Sequence, residues 1–85
     1  MTMQDRLRDY IVLHDHSLAQ QLRSELEHLE GEIESGKNWR TIQDHVQRIK
    51  TMSLDAGRQG VMHYDHADDL KDRCDEIIQD LRKLG

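Results

Sequence analysis

The chain has 85 residues, 12 basic and 17 acidic side chains for a net charge of −5, 35% hydrophobic residues, no proline, no phenylalanine and one cysteine. That length admits one small domain and excludes a nucleotide-binding α/β core with a separate substrate domain, while a lone cysteine excludes an internal disulfide framework and a cysteine-based zinc site. No run reaches the roughly 20 apolar residues of a membrane span, and the opening Met1-Thr2-Met3-Gln4-Asp5-Arg6 lacks the basic, then apolar order of a signal peptide, so the expectation is a cytoplasmic protein with no membrane partner.

The absence of proline and the spacing of the apolar residues indicate helices throughout, with glycines marking where they stop. A first helix over about 2–13 places Met3, Leu7, Tyr10 and Ile11 on one face. The segment His14-Asp15-His16-Ser17 breaks it, with Ser17 and Gln20 spaced as a capping box. The second helix carries Leu18, Leu22, Leu26, Leu29 and Ile33 on one side and ends at Ser35-Gly36-Lys37, where Gly36 takes a left-handed conformation. Asn38 caps a third helix whose inner seam is Trp39, Ile42, Val46, Ile49, Ser53 and Ala56, and Gly57-Arg58-Gln59-Gly60 interrupts or bends the path. The last helix, about 61–84, repeats His63, Ala67, Leu70, Cys74, Ile77, Leu81 and Leu84 by fours and threes. Seams of that period pack at small crossing angles, and short connections make sequential helices antiparallel. The expected fold is all-α, an antiparallel up-and-down four-helix bundle in one domain. So small a core leaves a homodimer open.

On the outer side of the third helix, Arg40, Gln43, Gln47, Lys50, Thr51, Leu54 and Arg58 fall along one strip. The strip is basic in an acidic protein and includes a leucine that the core seam does not need. These seven are the candidate partner-binding residues.

The segment from Trp39 to Lys50, followed by Gly57, resembles the central part of histidine-containing phosphotransfer (HPt) domains. In that pattern a helix opens on a tryptophan with an apolar residue three later; the phosphorylated histidine comes eight after the tryptophan. An apolar residue and a lysine then follow that histidine at two and three, with a glycine seven past the lysine. Trp39, Ile42, Ile49, Lys50 and Gly57 stand in register, and downstream Val61, Tyr64, Ala67 and Asp69 fit the next apolar and acidic positions. The likeness covers about 35–69.

Its departures are chemical. Gln47 stands at the phosphohistidine position and has no nucleophilic nitrogen; Thr51 and Leu54 occupy positions that are small in the family; His45 lies about 200 degrees around the helix from Gln47 and does not replace it. The resemblance therefore implies an HPt-like bundle that binds a response-regulator receiver domain or a histidine kinase without accepting phosphate. Its strip would face the acidic phosphoacceptor pocket of a receiver.

Six histidines raise a metal reading for His14 with His16 and for His63 with Asp65 and His66, but surface histidines account for them, and neither a metal nor a cofactor is assigned. Cys74, on the last seam, reads as a small buried hydrophobe, and Asp65, Asp68, Asp69, Asp72, Asp75 and Asp80 as a solvated face pairing in part with Lys71, Arg73 and Arg82. With no nucleophile beside a base, no glycine-rich phosphate loop and no paired carboxylates in an evident cleft, the chain is read as no enzyme. An acidic domain with three core-like aromatics disfavours nucleic-acid binding. One feature points elsewhere: Asp65 to Cys74 resembles the second helix of Rop-type bundles, which implies, as an alternative, a dimeric structural or RNA-binding bundle.

Overall fold

Helices in this chain stop where side chains or glycines take up the backbone groups that a helix end leaves unpaired. The computed structural model describes residues 3–84, with side chains for 4–83, and contains four helices: α1 (Met3–Tyr10), α2 (Ser17–Glu34), α3 (Trp39–Arg58) and α4 (Tyr64–Leu84). The expected start at Thr2 and the core roles of the Met3 and Leu84 side chains lie outside the described residues.

The α2–α3 turn follows expectation. Gly36 has φ +71°, the Lys37 amide donates to the Glu32 carbonyl at 3.1 Å and the Gly36 amide to the Ile33 carbonyl at 3.2 Å, the paired bonds of a Schellman ending. Asn38 then caps α3, its side-chain oxygen accepting from the Arg40 amide at 2.8 Å.

Three boundaries differ from the sequence reading: the start of α2, the start of α4 and the end of α1. α2 is capped by His16 and not by Ser17: its ring Nδ1 accepts from the Leu18 amide at 3.1 Å, the job a hydroxyl or carboxylate oxygen usually does. α3, by contrast, ends inside the expected Gly57–Gly60 interruption: it runs to Arg58 and closes with a second Schellman pair, Val61 amide to Ala56 carbonyl at 2.9 Å and Gly60 amide to Gly57 carbonyl at 3.4 Å, with Gly60 at φ +76°. Val61 and Ala56, the apolar partners of that motif, are both buried. α4 consequently starts at Tyr64 and not near Val61, with the His63 ring accepting from the Asp65 amide at 3.1 Å.

α1 is shorter than expected because the chain after Tyr10 turns extended. Ile11 pairs with Met62 as an isolated antiparallel bridge, and the Val12 amide donates to the Val61 carbonyl at 2.8 Å. Ile11 and Met62 are buried by this exchange and Val12 and Leu13 are left exposed.

The helices form a closed ring in chain order: α2 packs on α3, α3 on α4, and α1 on both α2 and α4. This is an all-α four-helix bundle. Its core contains Leu7, Ile11, Ala19, Leu22, Leu26, Leu29, Ile42, Val46, Ile49, Ala56, Val61, Met62, Ala67, Leu70, Cys74 and Ile78. Each fully buried leucine or isoleucine contributes roughly 1.5–3 kcal/mol relative to exposure. Ile78, one residue past the expected Ile77, takes the inner position on α4, while Ile77, Leu81, Leu18 and Trp39 are half-buried and Ile33 and His63 are exposed. α3 and α4 approach tightly at Gly57, where an added Cβ would stand 2.9 Å from the Cβ of Ala67.

Candidate functional site

α3 presents the seven-residue strip on the side that adjoins α4. At 100 degrees per residue Arg40, Gln43, Gln47, Lys50, Thr51, Leu54 and Arg58 span about 100 degrees of the helix. Arg40, Gln47, Thr51 and Arg58 are exposed; Gln43, Lys50 and Leu54 are half-buried. Gln47 sits at the centre with its amide in solvent, and the Thr51 hydroxyl donates back to the Gln47 carbonyl at 3.2 Å.

The charges of the strip are less free than its composition suggests. Lys50 Nζ donates to Asp75 Oδ1 on α4 at 2.7 Å, which draws the Asp75 carboxyl below its ordinary pKa. Arg58 lies 3.5 Å from Asp55, and the Arg40 guanidinium carbon sits 5.4 Å from the centre of the Trp39 ring, a cation–π contact. Positive charge is therefore offered at the Arg40 end of the strip, while Lys50 in its middle and Arg58 at its other end are each paired with an aspartate. Beyond Gly57 the α3 end adjoins an apolar groove lined by Val12, Gly57, Gly60, Met62, His63 and Tyr64, in which Val12 and Tyr64 are among the most exposed large hydrophobic residues described.

The acidic positions of α4 are more than a solvated face. Asp69 accepts from the Tyr10 hydroxyl at 2.5 Å and from Arg6 at 3.3 Å, tying α1 to α4, and the same hydrogen bond raises the Tyr10 pKa. Asp75 also meets Lys71 at 3.5 Å. Ala67, Leu70 and Cys74, the residues behind the likeness to Rop, are spent in the bundle's own core. Burial pushes the Cys74 thiol up to about 11, so it offers little thiolate near neutrality.

A second constellation was not foreseen. His45 is 8% exposed and lies between α2 and α3, with Nε2 2.5 Å from Glu25 Oε2 and Nδ1 3.1 Å from Glu32 Oε1. Arg48 approaches Glu25 at 3.7 Å, and the His28 ring centre stands 6.5 Å from that of His45. These groups, with Thr41 and Asp44, line a cavity of about 330 Å³. Part of the signal is legible as Glu25-Leu26-Glu27-His28, a carboxylate and a histidine three apart on one helix face, with Glu32 one turn further. That His45 faces them from another helix is not legible in one dimension.

The histidines considered for metal do other work. His16 and His63 cap helices and His66 stacks on Tyr10 with ring centres 4.2 Å apart; at His14 it is the backbone carbonyl, not the ring, that accepts from Arg23. Among the described residues no three His, Cys, Asp or Glu side chains are placed to hold one metal ion. At His45 the two carboxylates lie against different ring nitrogens, so they do not converge on one point. Among the described residues no helix is long and apolar enough to cross a membrane. Compared with family models, curated proteins and solved structures, the chain matches none.

Proposed function

We propose that the chain is a non-enzymatic, HPt-like signalling adaptor that binds a receiver domain or a histidine kinase through α3 without accepting phosphate, in the cytoplasm. The observation that carries this reading is the exposed Gln47 amide at the centre of a one-sided strip, at the register where an HPt domain holds its histidine. An amide there can donate and accept hydrogen bonds but forms no phosphohistidine. Arg40 at one end supplies steering charge toward an acidic pocket, setting orientation and on-rate more than affinity, while Arg58 at the other end is shared with Asp55. Half-buried Leu54 and the groove beside Tyr64 supply apolar contact. The register of Gly57 supports the same reading, since α3 and α4 meet there too closely for a side chain.

The test is titration of the purified protein with receiver domains from its host, each with and without prior phosphorylation, followed by size exclusion and counting of transferred label. The expected result is a complex with at least one receiver, no acid-labile label on this chain, and binding weakened about tenfold or more by Leu54→Asp or Gln47→Glu, as for central interface contacts. Acid-labile phosphate on the chain, or no complex with any receiver or kinase, would overturn it.

A further inference from the structure

We infer that Glu25, His45 and Glu32 form a proton-operated clamp that holds the C-terminal half of α2 against α3 and relaxes when the trio loses a proton. The argument is a count of donors. A neutral imidazole carries one N–H and an ionised carboxylate carries none. Yet Nε2 stands 2.5 Å from Glu25 and Nδ1 stands 3.1 Å from Glu32. Both contacts are hydrogen bonds only when the three groups share two protons, either as an imidazolium between two carboxylates or as a neutral ring beside one protonated carboxyl. The proton belongs to the trio jointly.

With two protons the trio carries a charge of −1. With one proton it carries −2, and a ring lone pair faces a carboxylate oxygen in a site from which His45 is 92% withdrawn from water, the complement of its 8% exposure. The surroundings do not compensate this evenly. Arg48, 3.7 Å from Glu25, offsets charge at that end. Asp44 adds negative charge to the cavity lining, and His28 adds positive charge only when protonated. Among the described residues no charged side chain of α1 or α4 lines the cavity. Glu32 is the end without relief: its Oε2 is buried and makes no hydrogen bond. Glu25 and Glu32 are two turns apart on α2, so both grip the same stretch of helix.

The sign follows from linkage. The closed arrangement needs two protons at the trio, whereas separated groups in water hold only one once the imidazole is neutral, so closure is favoured at lower pH and weakens as pH rises.

Two measurements on the intact chain test the clamp: ¹H–¹⁵N spectra of the imidazole nitrogens and amide exchange, between about pH 5.5 and about pH 8, the range in which histidines titrate. At the lower pH the expected spectrum shows the trio's second proton, either as N–H on both nitrogens of His45 or as one N–H with a carboxyl carbon shift at Glu25 or Glu32 that marks a protonated acid. On raising the pH, exchange over residues 25–34 should speed up several-fold more than over α4, after correction for base catalysis. Glu32→Gln, whose amide can donate to or accept from the ring, should remove that excess. His45→Gln should do the same, and if it fails to fold, Glu32→Gln decides alone. A single shared proton across the whole range, or an undiminished excess in Glu32→Gln, would show the trio to be static.

Discussion

Lys50 and Asp75 stand 25 positions apart in the chain and 2.7 Å apart in space. Read singly, one belongs to a docking strip and the other to a solvated acidic face; together they fasten α3 to α4. The Lys50 ammonium holds the Asp75 carboxyl below its usual range by hydrogen bond and charge, against a smaller opposing desolvation. A folded value below the unfolded one means that the pair stabilises above the ordinary carboxylate range and is lost as pH falls through the lowered value. The expected outcome is that Asp75→Asn flattens the acid arm of the urea-midpoint profile below about pH 4 relative to the parent chain; equal slopes in the two proteins would refute it. The pair also explains why Lys50→Glu is a poor probe of docking, since it sets a carboxylate against Asp75. The sequence could not show this, nor that His45 is buried: helical periodicity assigns a residue to a face but not to the partner waiting on the next helix. The slip from Ile77 to Ile78 is of the same kind, a difference of about 100 degrees at the border between the seam and the outside.

At the scale of the helices, the glycines divide into those that end an element and one that lets two elements meet. Gly36 and Gly60 adopt positive φ and close α2 and α3, which their positions after apolar-periodic runs made legible. Gly57 has no such conformation. It stays inside α3, and its function is absence of bulk, since a Cβ would lie 2.9 Å from the backbone-fixed Cβ of Ala67. Gly57→Ala is therefore expected to destabilise by about 1–2 kcal/mol in urea titration, the overpacking cost reduced by the better helix propensity of alanine. Gly31→Ala, in an exposed stretch of α2 with nothing within 4 Å of the new carbon, should instead stabilise by about 0.5–1 kcal/mol. If both substitutions shift the midpoint the same way, the close approach of α3 and α4 is not what Gly57 serves. In one dimension Gly57 and Gly60 belong to the same interruption, because a glycine that ends a helix and one that admits a neighbour look alike until the neighbour is placed.

Over the whole molecule, each seam of the ring carries at least one polar tie: Gln4 to Glu30 between α1 and α2, His45 to Glu25 and Glu32 and Arg48 to Glu25 between α2 and α3, Lys50 to Asp75 between α3 and α4, and Arg6 and Tyr10 to Asp69 between α4 and α1. Of the hydrogen bonds among them only Gln4–Glu30 is exposed; the others are half-buried or, at His45, buried, and together the ties bear on which helix lies beside which. The four helices and their ring order follow from period and loop length, and were legible. The ties were not, because a net charge of −5 says nothing of where opposite charges meet. The last of these seams closes across the longest stretch of chain. Tyr10 and Arg6 reach Asp69 over 59 and 63 positions, whereas α3 and α4 are joined by a short turn. Closing the longer loop costs more entropy, and eight residues are too few to hold a helix unaided. α1 should therefore form only on docking, after the other three helices, and its amides should exchange at a lower free energy than those of α3 in native-state hydrogen exchange. Equal protection in α1 and α3 would contradict this order. On the expected order, the final step of folding is also the first step of opening, and the cheapest excursion available to the native molecule is the release of its N-terminal helix.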